Sequence, residues 1–149
     1  VEEAHAVGAS GVLLITAMLD DRQLNAMLDS AWNHDLFVLL EAFGETDIQR
    51  ARRLLDSVVH QAKADHGELL FGVNSRNLRT LEVDATRLER YAPLLPPGVT
   101  VAESGLKTPA DALRAAAKGY RLALVGTALM RAEDPGVLIR AMVAEAEAA

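Results

Sequence analysis

The chain has 149 residues, of which 50% are hydrophobic and 24% charged, with a net charge of −6 and no cysteine. This length and composition indicate one globular domain, and the absence of cysteine excludes disulfides and thiolate metal sites. The acidic balance and the lack of a basic cluster argue against nucleic acid as a partner. No apolar stretch is long enough to span a membrane and no signal peptide is visible, so we expect a cytoplasmic protein without membrane contact.

Short apolar runs alternate with longer helical patterns, which is typical of a parallel sheet with crossover helices. Residues 1–8 resemble the last turns of an amphipathic helix without a cap, so the sequence is expected to begin inside a domain. The predicted strands cover residues 11–15, 37–41, 69–74, 100–103 and 122–125. Together they predict an α/β fold of five βα units in a single domain over residues 1–149.

The predicted helices follow the strands in turn. Asp20 caps an amphipathic helix that runs to residue 32, with one apolar face made by Leu24, Met27, Leu28 and Ala31. One long helix is predicted from about residue 45 to 64, with an inward face made by Ile48, Ala51, Leu55, Val58 and Val59. Further helices are predicted over about 84–95, over 108–119 with a Thr cap, and over 134–148 with an Asp cap. Five such units could form an open sheet, whereas eight would close a barrel.

Candidate catalytic residues lie where the predicted strands end, because functional side chains of βα folds converge at the carboxyl ends of the strands. Three strands end in a carboxylate or amide: Glu41, Asn74 and Glu103. Glu41 follows an apolar strand, and partial desolvation would suit its carboxylate to proton transfer. Arg76 could hold a carboxylate or phosphate, or could be a solvated loop residue. For each of these residues a purely structural role is an equal alternative.

Two consecutive strand ends favour a phosphate. Residues 101–105 (VAESG) and 122–128 (LALVGTA) each end an apolar strand in small residues and open a helix. Backbone N–H groups and helix dipoles at such points attract an anion. The pair matches the phosphate site that follows strands seven and eight of a (β/α)₈ barrel. We therefore expect a phosphorylated small-molecule substrate at Ser104, Gly105, Gly126 and Thr127.

The sequence gives no evidence for a metal site or for a cofactor-binding motif. His5, His34, His60 and His66 are predicted to be surface residues of helices or helix-end loops, and no two have the spacing of metal ligands. The sequence contains no Walker motif, dinucleotide fingerprint or Ser-His-Asp set. We therefore expect neither a metal nor a cofactor.

Five segments, in order, resemble the C-terminal part of the indole-3-glycerol-phosphate synthase family: GVLLI at 11–15, LLE at 39–41, FGVNSRNL at 71–78, VAESG at 101–105 and LVGTALM at 124–130. The resemblance covers nearly the whole chain and implies strands four to eight of a (β/α)₈ barrel, a partial TIM barrel. That family is a decarboxylating lyase of tryptophan biosynthesis. It closes the indole ring of 1-(2-carboxyphenylamino)-1-deoxyribulose 5-phosphate, releases carbon dioxide and then loses water.

The resemblance also implies roles for individual residues. Glu41 would be the acid/base carboxylate of the dehydration, and Asn74 and Glu103 would line the sugar and amine of the substrate. The resemblance implies that the substrate-binding residues are Arg76, Leu78, Ser104, Gly105, Gly126 and Thr127. Among these, Leu78 would form part of the apolar wall around the anthranilate ring.

Three features depart from the family pattern. The family's essential lysine lies on earlier strands that the resemblance does not include, and Lys63, Lys107 and Lys118 fall in predicted helices or loops. The segment between Glu41 and Asn74 is longer than in the family. Ala42 and Phe43 stand where the family usually has a β-branched residue followed by His or Asn.

These departures shape what we expect of the chain by itself. We expect it to be inactive in isolation and to associate through its exposed sheet edges, either with a second copy or with the N-terminal barrel segment. Two alternatives stay open. One is a non-catalytic phosphate-binding half-barrel or assembly module. The other is a different phosphosugar enzyme of the same barrel group, which would not explain the segment GVNSRNL at 72–78.

Overall fold

The computed structural model describes residues 1–77 and 80–149. Within that part of the chain lie the strands β1 (Gly11–Ile15), β2 (Phe37–Ala42), β3 (Leu69–Asn74), β4 (Thr100–Glu103) and β5 (Leu122–Leu124). They form one sheet whose order follows the chain, β1-β2-β3-β4-β5. β1 pairs with β2 in parallel, with Ile15 opposite Glu41, and β4 pairs with β5 in parallel, with Glu103 opposite Leu124. The predicted parallel α/β class is confirmed, and each strand lies within one residue of its predicted bounds.

Helices alternate with these strands. They are α1 (Glu2–Ala6), α2 (Asp21–Asn33), α3 (Glu45–Leu54), α4 (Val58–Asp65), α5 (Thr86–Tyr91), α6 (Pro109–Ala117), α7 (Thr127–Arg131) and α8 (Pro135–Glu147). Short 3₁₀ turns cover Thr16–Met18 and Ala92–Leu94. In the described ranges, no helix has the length and apolar character needed to cross a membrane.

The contacts divide the chain into two compact units. The first unit contains Val1–Gly72 and Leu94–Val99, and the second contains Val73–Pro93 and Thr100–Ala149. A single domain over the whole chain stays a prediction.

The core of the first unit forms between α2 and one face of its strands. Alternate residues of a strand point to the same face, so Leu14, Val38 and Leu40 share a face and pack with Leu24 and Leu28 of α2. Asp20 begins α2 as predicted, because its carboxylate accepts from the Gln23 N–H while the Gln23 side chain accepts from the Asp20 N–H.

The single long helix predicted over residues 45–64 is wrong. The segment folds as α3 and α4, with a tight turn in which the Ser57 N–H donates to the Leu54 carbonyl oxygen over 3.1 Å. Ser57 is the residue before α4 and is of a type that favours helix starts, but its side chain makes no capping hydrogen bond there. Ile48 and Ala51 are buried as predicted, but Val58 and Val59 are 82% and 61% exposed.

His60 corrects another prediction, since only 9% of it is exposed. Its Nδ1 lies 3.0 Å from the carbonyl oxygen of Leu54, the last residue of α3, so the ring of a residue in α4 caps α3. The ring also lies 5.4 Å from that of Trp32. His60 is therefore a structural residue of the α3–α4 connection and not a surface histidine.

Two turns that lead from a helix into a strand use the same backbone pattern. After α6, the N–H groups of Gly119 and Tyr120 donate to Ala116 and Ala115, and Gly119 has φ +97°. After α2, the N–H groups of Asp35 and Leu36 donate to Trp32 and Ala31. This is the Schellman ending, whose left-handed position favours glycine. Asp35 occupies that position with φ +54°.

Candidate active site

A cavity of about 640 Å³ lies within the second unit, at the carboxyl ends of β4 and β5. Six residues predicted from the sequence line it together: Arg76, Glu103, Ser104, Gly105, Gly126 and Thr127. Its other lining residues include apolar side chains and two cations, Lys107 and Arg131. The structure therefore brings the residues of the two predicted phosphate turns around one concave space.

The ends of β3 and β4 are joined beside this cavity. The Ser75 N–H donates to the Glu103 carbonyl oxygen over 2.8 Å, and the Asp84 N–H donates to the Ser75 carbonyl oxygen over 3.0 Å. Arg76 forms an isolated antiparallel bridge with Val83. These backbone contacts hold Arg76 next to the turn that follows Glu103.

The turn after β4 has an unusual backbone. Ser104 and Gly105 both have positive φ, +63° and +85°. A Cβ on Gly105 would meet Val83 Cγ1 at 3.2 Å, so a side chain there would be both strained and crowded. Glycine at 105 lets this turn lie close against the segment around Val83.

Asn74 and Arg76 form a local pair at the end of β3. The Asn74 Oδ1 accepts from the Arg76 backbone N–H over 2.8 Å, which fixes the amide in an Asx turn. The Arg76 Nη1 donates to the Leu81 carbonyl oxygen over 3.1 Å. Asn74 is buried and, unlike Arg76, is not among the residues that line the cavity. Leu78, the predicted wall for an aromatic ring, lies outside the described residues.

Glu103 is the carboxylate of the cavity. It is only 3% exposed and lies opposite Leu124 in the parallel register, so the two side chains share one face of the sheet. A buried carboxylate beside an arginine-lined cavity can accept hydrogen bonds from hydroxyl or amine groups of a ligand.

Gly126 and Thr127 form the second turn, where α7 begins. A Cβ built on Gly126 would have no heavy atom within 4 Å, and its φ is negative. A side chain at this position would therefore extend into open space at the cavity wall.

Glu41 belongs to the first unit. It is 5% exposed near the end of β2, and α3 follows it after a short turn. In that turn the N–H groups of Phe43 and Gly44 donate to the Asp47 Oδ2 over 3.0 and 3.1 Å. The end of β1 is fixed from α3, since the Arg50 guanidinium donates to the Thr16 carbonyl oxygen over 2.7 Å. Glu41 thus lies buried near the carboxyl end of a strand, as the sequence predicts.

Lys107 and Arg131 were not singled out from the sequence as site residues. Lys107 comes two residues after Gly105, and Arg131 comes four residues after Thr127, one helical turn along. Both spacings place a cation near a predicted phosphate turn, and this signal is readable from the sequence. In residues 1–77 and 80–149 no group of three or more His, Asp or Glu side chains is arranged to hold a metal ion.

Residues 1–142 match the family model described as indole-3-glycerol phosphate synthase. The indole-3-glycerol phosphate synthase of Parafrankia sp. is 41% identical over 144 residues, covering 96% of this chain and 49% of that protein. Its counterpart in Polaromonas sp. is 39% identical over 140 residues, covering 93% of this chain and 48% of that protein. The chain therefore spans about half the length of these curated relatives, and the resemblance found in the sequence is confirmed.

Solved structures show the same fold. A 3-hexulose-6-phosphate synthase from Salmonella typhimurium superposes with a TM-score of 0.70 and 17% identity, over 99% of this chain and 67% of that one. A second 3-hexulose-6-phosphate synthase gives 0.65 at 17% identity, over 96% of this chain and 65% of that one. At this identity the likeness concerns the fold alone. It confirms βα units that form part of a (β/α)₈ barrel.

Proposed function

Because the chain belongs to the indole-3-glycerol phosphate synthase family, we propose that it supplies part of the active site that makes the indole ring in tryptophan biosynthesis. The substrate would be 1-(2-carboxyphenylamino)-1-deoxyribulose 5-phosphate. A carbon of its aromatic ring bonds to the ketone carbon of the sugar, the carboxylate leaves as carbon dioxide, and water is lost. The observation that carries the proposal is the cavity in which six predicted site residues meet.

The phosphate of the substrate would bind at Ser104, Gly105, Gly126 and Thr127. Support comes from the two turns that these residues form in the lining of the cavity, because backbone N–H groups at such turns can donate to phosphate oxygens. Arg76 would add a guanidinium, whose fork geometry suits a carboxylate or phosphate.

The catalytic roles are proposed for Glu41, Asn74 and Glu103. Glu41 would be the acid/base carboxylate of the dehydration, taking a proton from the indoline intermediate and returning one to the departing hydroxyl, which leaves as water. Burial of this carboxylate supports the role, because proton transfer is favoured where water does not compete. Glu103 and Asn74 would orient the hydroxyl and amine groups of the substrate.

The relatives contain a further half that this chain does not match. By resemblance, that half contributes the lysine that acts as general acid in the ring closure. General acid catalysis by a placed group contributes roughly 10²–10⁴-fold. We therefore propose that these 149 residues alone have negligible turnover.

Association would cover the apolar residues that each unit leaves exposed. In the second unit all of β5 is exposed, with Leu122 at 50% and Leu124 at 48%. Uncovered parallel strands with apolar side chains are unfavourable in water. We propose that a second copy, or the N-terminal barrel segment, packs there. Sedimentation should show association with a second copy or with an added N-terminal segment, and a well-folded monomer that binds neither would contradict this.

The test is complementation. The chain should be mixed with a separately expressed N-terminal segment from a complete relative, and indole fluorescence should be followed after the substrate is added. We expect turnover from the mixture and none from either part. Glu41→Gln should abolish the rescue, whereas Glu45→Gln, a change at an exposed carboxylate in the first turn of α3, should leave it intact.

Each outcome separates the candidate functions. Strong turnover by the chain alone would show that the general acid of the ring closure lies within these residues and not in the other half of the relatives. Rescue that is indifferent to Glu41→Gln would remove Glu41 from the mechanism. Saturable phosphate binding without any rescue would favour the non-catalytic phosphate-binding half-barrel.

A further inference from the structure

We propose that Lys107 and Arg131 make the cavity of the second unit selective for a dianionic phosphate monoester over singly charged anions. The inference rests on the phosphate site proposed above and assigns to it two residues and a charge preference. It starts from the position of both cations in the lining of the same cavity as Gly105 and Gly126.

In the part of the chain that the structure describes, neither cation forms an ion pair with a carboxylate. Within the described part of the chain, the ion pairs of arginine and lysine involve other residues: Arg50, Lys63, Arg90 and Arg114. The carboxylates nearest to Lys107 along the chain are Glu103 and Asp111, each four residues away. Asp111 accepts from the Lys107 backbone N–H and is paired with the Arg114 guanidinium. Among the described residues, Lys107 forms no ion pair with Glu103. The side chains of Lys107 and Arg131 are therefore available to a ligand.

The charge balance of the cavity points to the class of ligand. Among the described residues, the charged ones that line the cavity are the cations Arg76, Lys107 and Arg131 and the carboxylate Glu103. With all four ionised, these described lining residues carry an excess of two positive charges. A phosphate monoester carries close to two negative charges at pH 7, because its second pKa is about 6. Diesters and carboxylates carry one and would leave a cation unmatched.

The side chains of Lys107 and Arg131 also differ from that of Arg76 in the hydrogen-bond donors that they can offer to the phosphate. The Arg76 guanidinium already donates to the Leu81 carbonyl oxygen. Lys107 follows the turn at Gly105, and Arg131 lies one helical turn after Thr127, so each cation stands beside one of the two phosphate turns. The backbone N–H groups would orient the phosphate, and these side chains would match its second charge.

The experiment is calorimetric titration of the folded chain with ribose 5-phosphate at pH 7.5. Lys107→Ala and Arg131→Ala should each weaken binding about tenfold, the loss expected for one charge-assisted hydrogen bond. The matched controls are Lys118→Ala and Arg121→Ala, which remove exposed cations of the same unit that do not line this cavity. Circular dichroism should show the same fold in all variants.

A second arm tests the charge preference. From pH 7.5 to 5.0 the ester loses most of its second charge, so its affinity for the wild-type chain should fall about tenfold. Sulfate remains a dianion over this range and should bind with unchanged affinity. That control also detects any titration of the protein's own groups. In the double variant Lys107→Ala/Arg131→Ala, the pH dependence of ribose 5-phosphate binding should flatten.

The outcomes distinguish this inference from the proposed function. If the wild-type chain binds ribose 5-phosphate and both single variants bind as tightly, the phosphate site stands and the role of the two cations is refuted. Affinity for the ester that does not change with pH would likewise refute the dianion preference. If the wild-type chain does not bind the ester at all, the phosphate site and the inference fail together.

Discussion

The backbone N–H of Ser75 donates to the carbonyl oxygen of Glu103 over 2.8 Å and so joins the ends of β3 and β4. The Ser75 side chain does not share in this network, because within the described residues its buried Oγ has no hydrogen-bond partner. Thr100, at the start of β4, provides the contrast: it is also buried, but its Oγ1 donates to the Gly119 carbonyl oxygen over 2.9 Å.

We expect opposite effects when these two hydroxyls are removed. Ser75→Ala should raise the free energy of unfolding by about 1 kcal/mol, because it deletes a buried polar atom that lacks a partner. Thr100→Val should lower it by about 1 kcal/mol, because it keeps the shape and leaves the Gly119 carbonyl without its donor. Urea unfolding would measure both changes. Equal destabilisation by the two substitutions would contradict this account of Ser75.

Replacing Asp35 with glycine should stabilise the chain. It occupies the left-handed position of the turn after α2 with φ +54°, and its side chain is exposed. A side chain in that conformation costs roughly 1 kcal/mol, which Asp35→Gly should recover as added stability, measured by thermal unfolding. Gly119→Asp makes the reverse change at the equivalent position after α6 and should destabilise the chain by a similar amount. A loss of stability in Asp35→Gly would show that the Asp35 side chain makes a compensating contact.

The sequence predicts the strands of this fold closely because apolar runs bounded by polar or small residues leave little freedom in their limits. It predicts the single helix over 45–64 wrongly, because apolar periodicity continues through Leu55 and Val58 although Ser57 begins a new helix. The spacing of hydrophobic residues indicates which face of a helix could be buried, but it does not show whether another element packs against that face. Val58 and Val59 stay exposed for this reason.

The candidate site shows the same limit. Strand ends and small-residue turns identify six residues that the structure gathers around one cavity. Lys107 and Arg131 belong to neither pattern, although their spacing from Gly105 and Thr127 places each cation near a predicted phosphate turn. The burial of His60 depends on the ring of Trp32, 28 residues earlier in the chain, and on the carbonyl oxygen at the end of α3, neither of which follows from hydrophobic spacing.

Low pH should destabilise the start of α6, because it protonates the Asp111 carboxylate. Burial alone would raise the pKa of the Asp111 carboxyl, but hydrogen bonds from Lys107 and Thr108 and the charge of Arg114 outweigh it, so this pKa lies below its usual 3.8. A lowered folded-state pKa adds stability above pH 3.8, and this stability is lost as the pH falls through the folded-state value.

The corresponding substitution is Asp111→Ala. It should reduce the free energy of unfolding by about 1 kcal/mol at pH 6, because it removes the reciprocal capping partner of Thr108. The difference from the wild-type chain should shrink as the pH is lowered below 3.8. Chemical unfolding at pH 6, 4 and 3 would measure it, and a difference that stays constant across this series would contradict the assigned cause.

Substitutions at Gly126 and Gly105 should differ in their effects on ligand binding and on the free energy of unfolding, although both residues line the same cavity. In Gly126→Val the Cβ meets no heavy atom within 4 Å and the backbone needs no change, so the free energy of unfolding should stay within about 0.5 kcal/mol of the wild type. The added side chain occupies space that the phosphate would need, so calorimetry should detect no saturable binding of ribose 5-phosphate. Gly105→Ala places a Cβ at φ +85° and 3.2 Å from Val83 Cγ1, and should cost 1 kcal/mol or more, as a rough estimate. Undiminished binding in Gly126→Val would move the phosphate away from the turn at the start of α7.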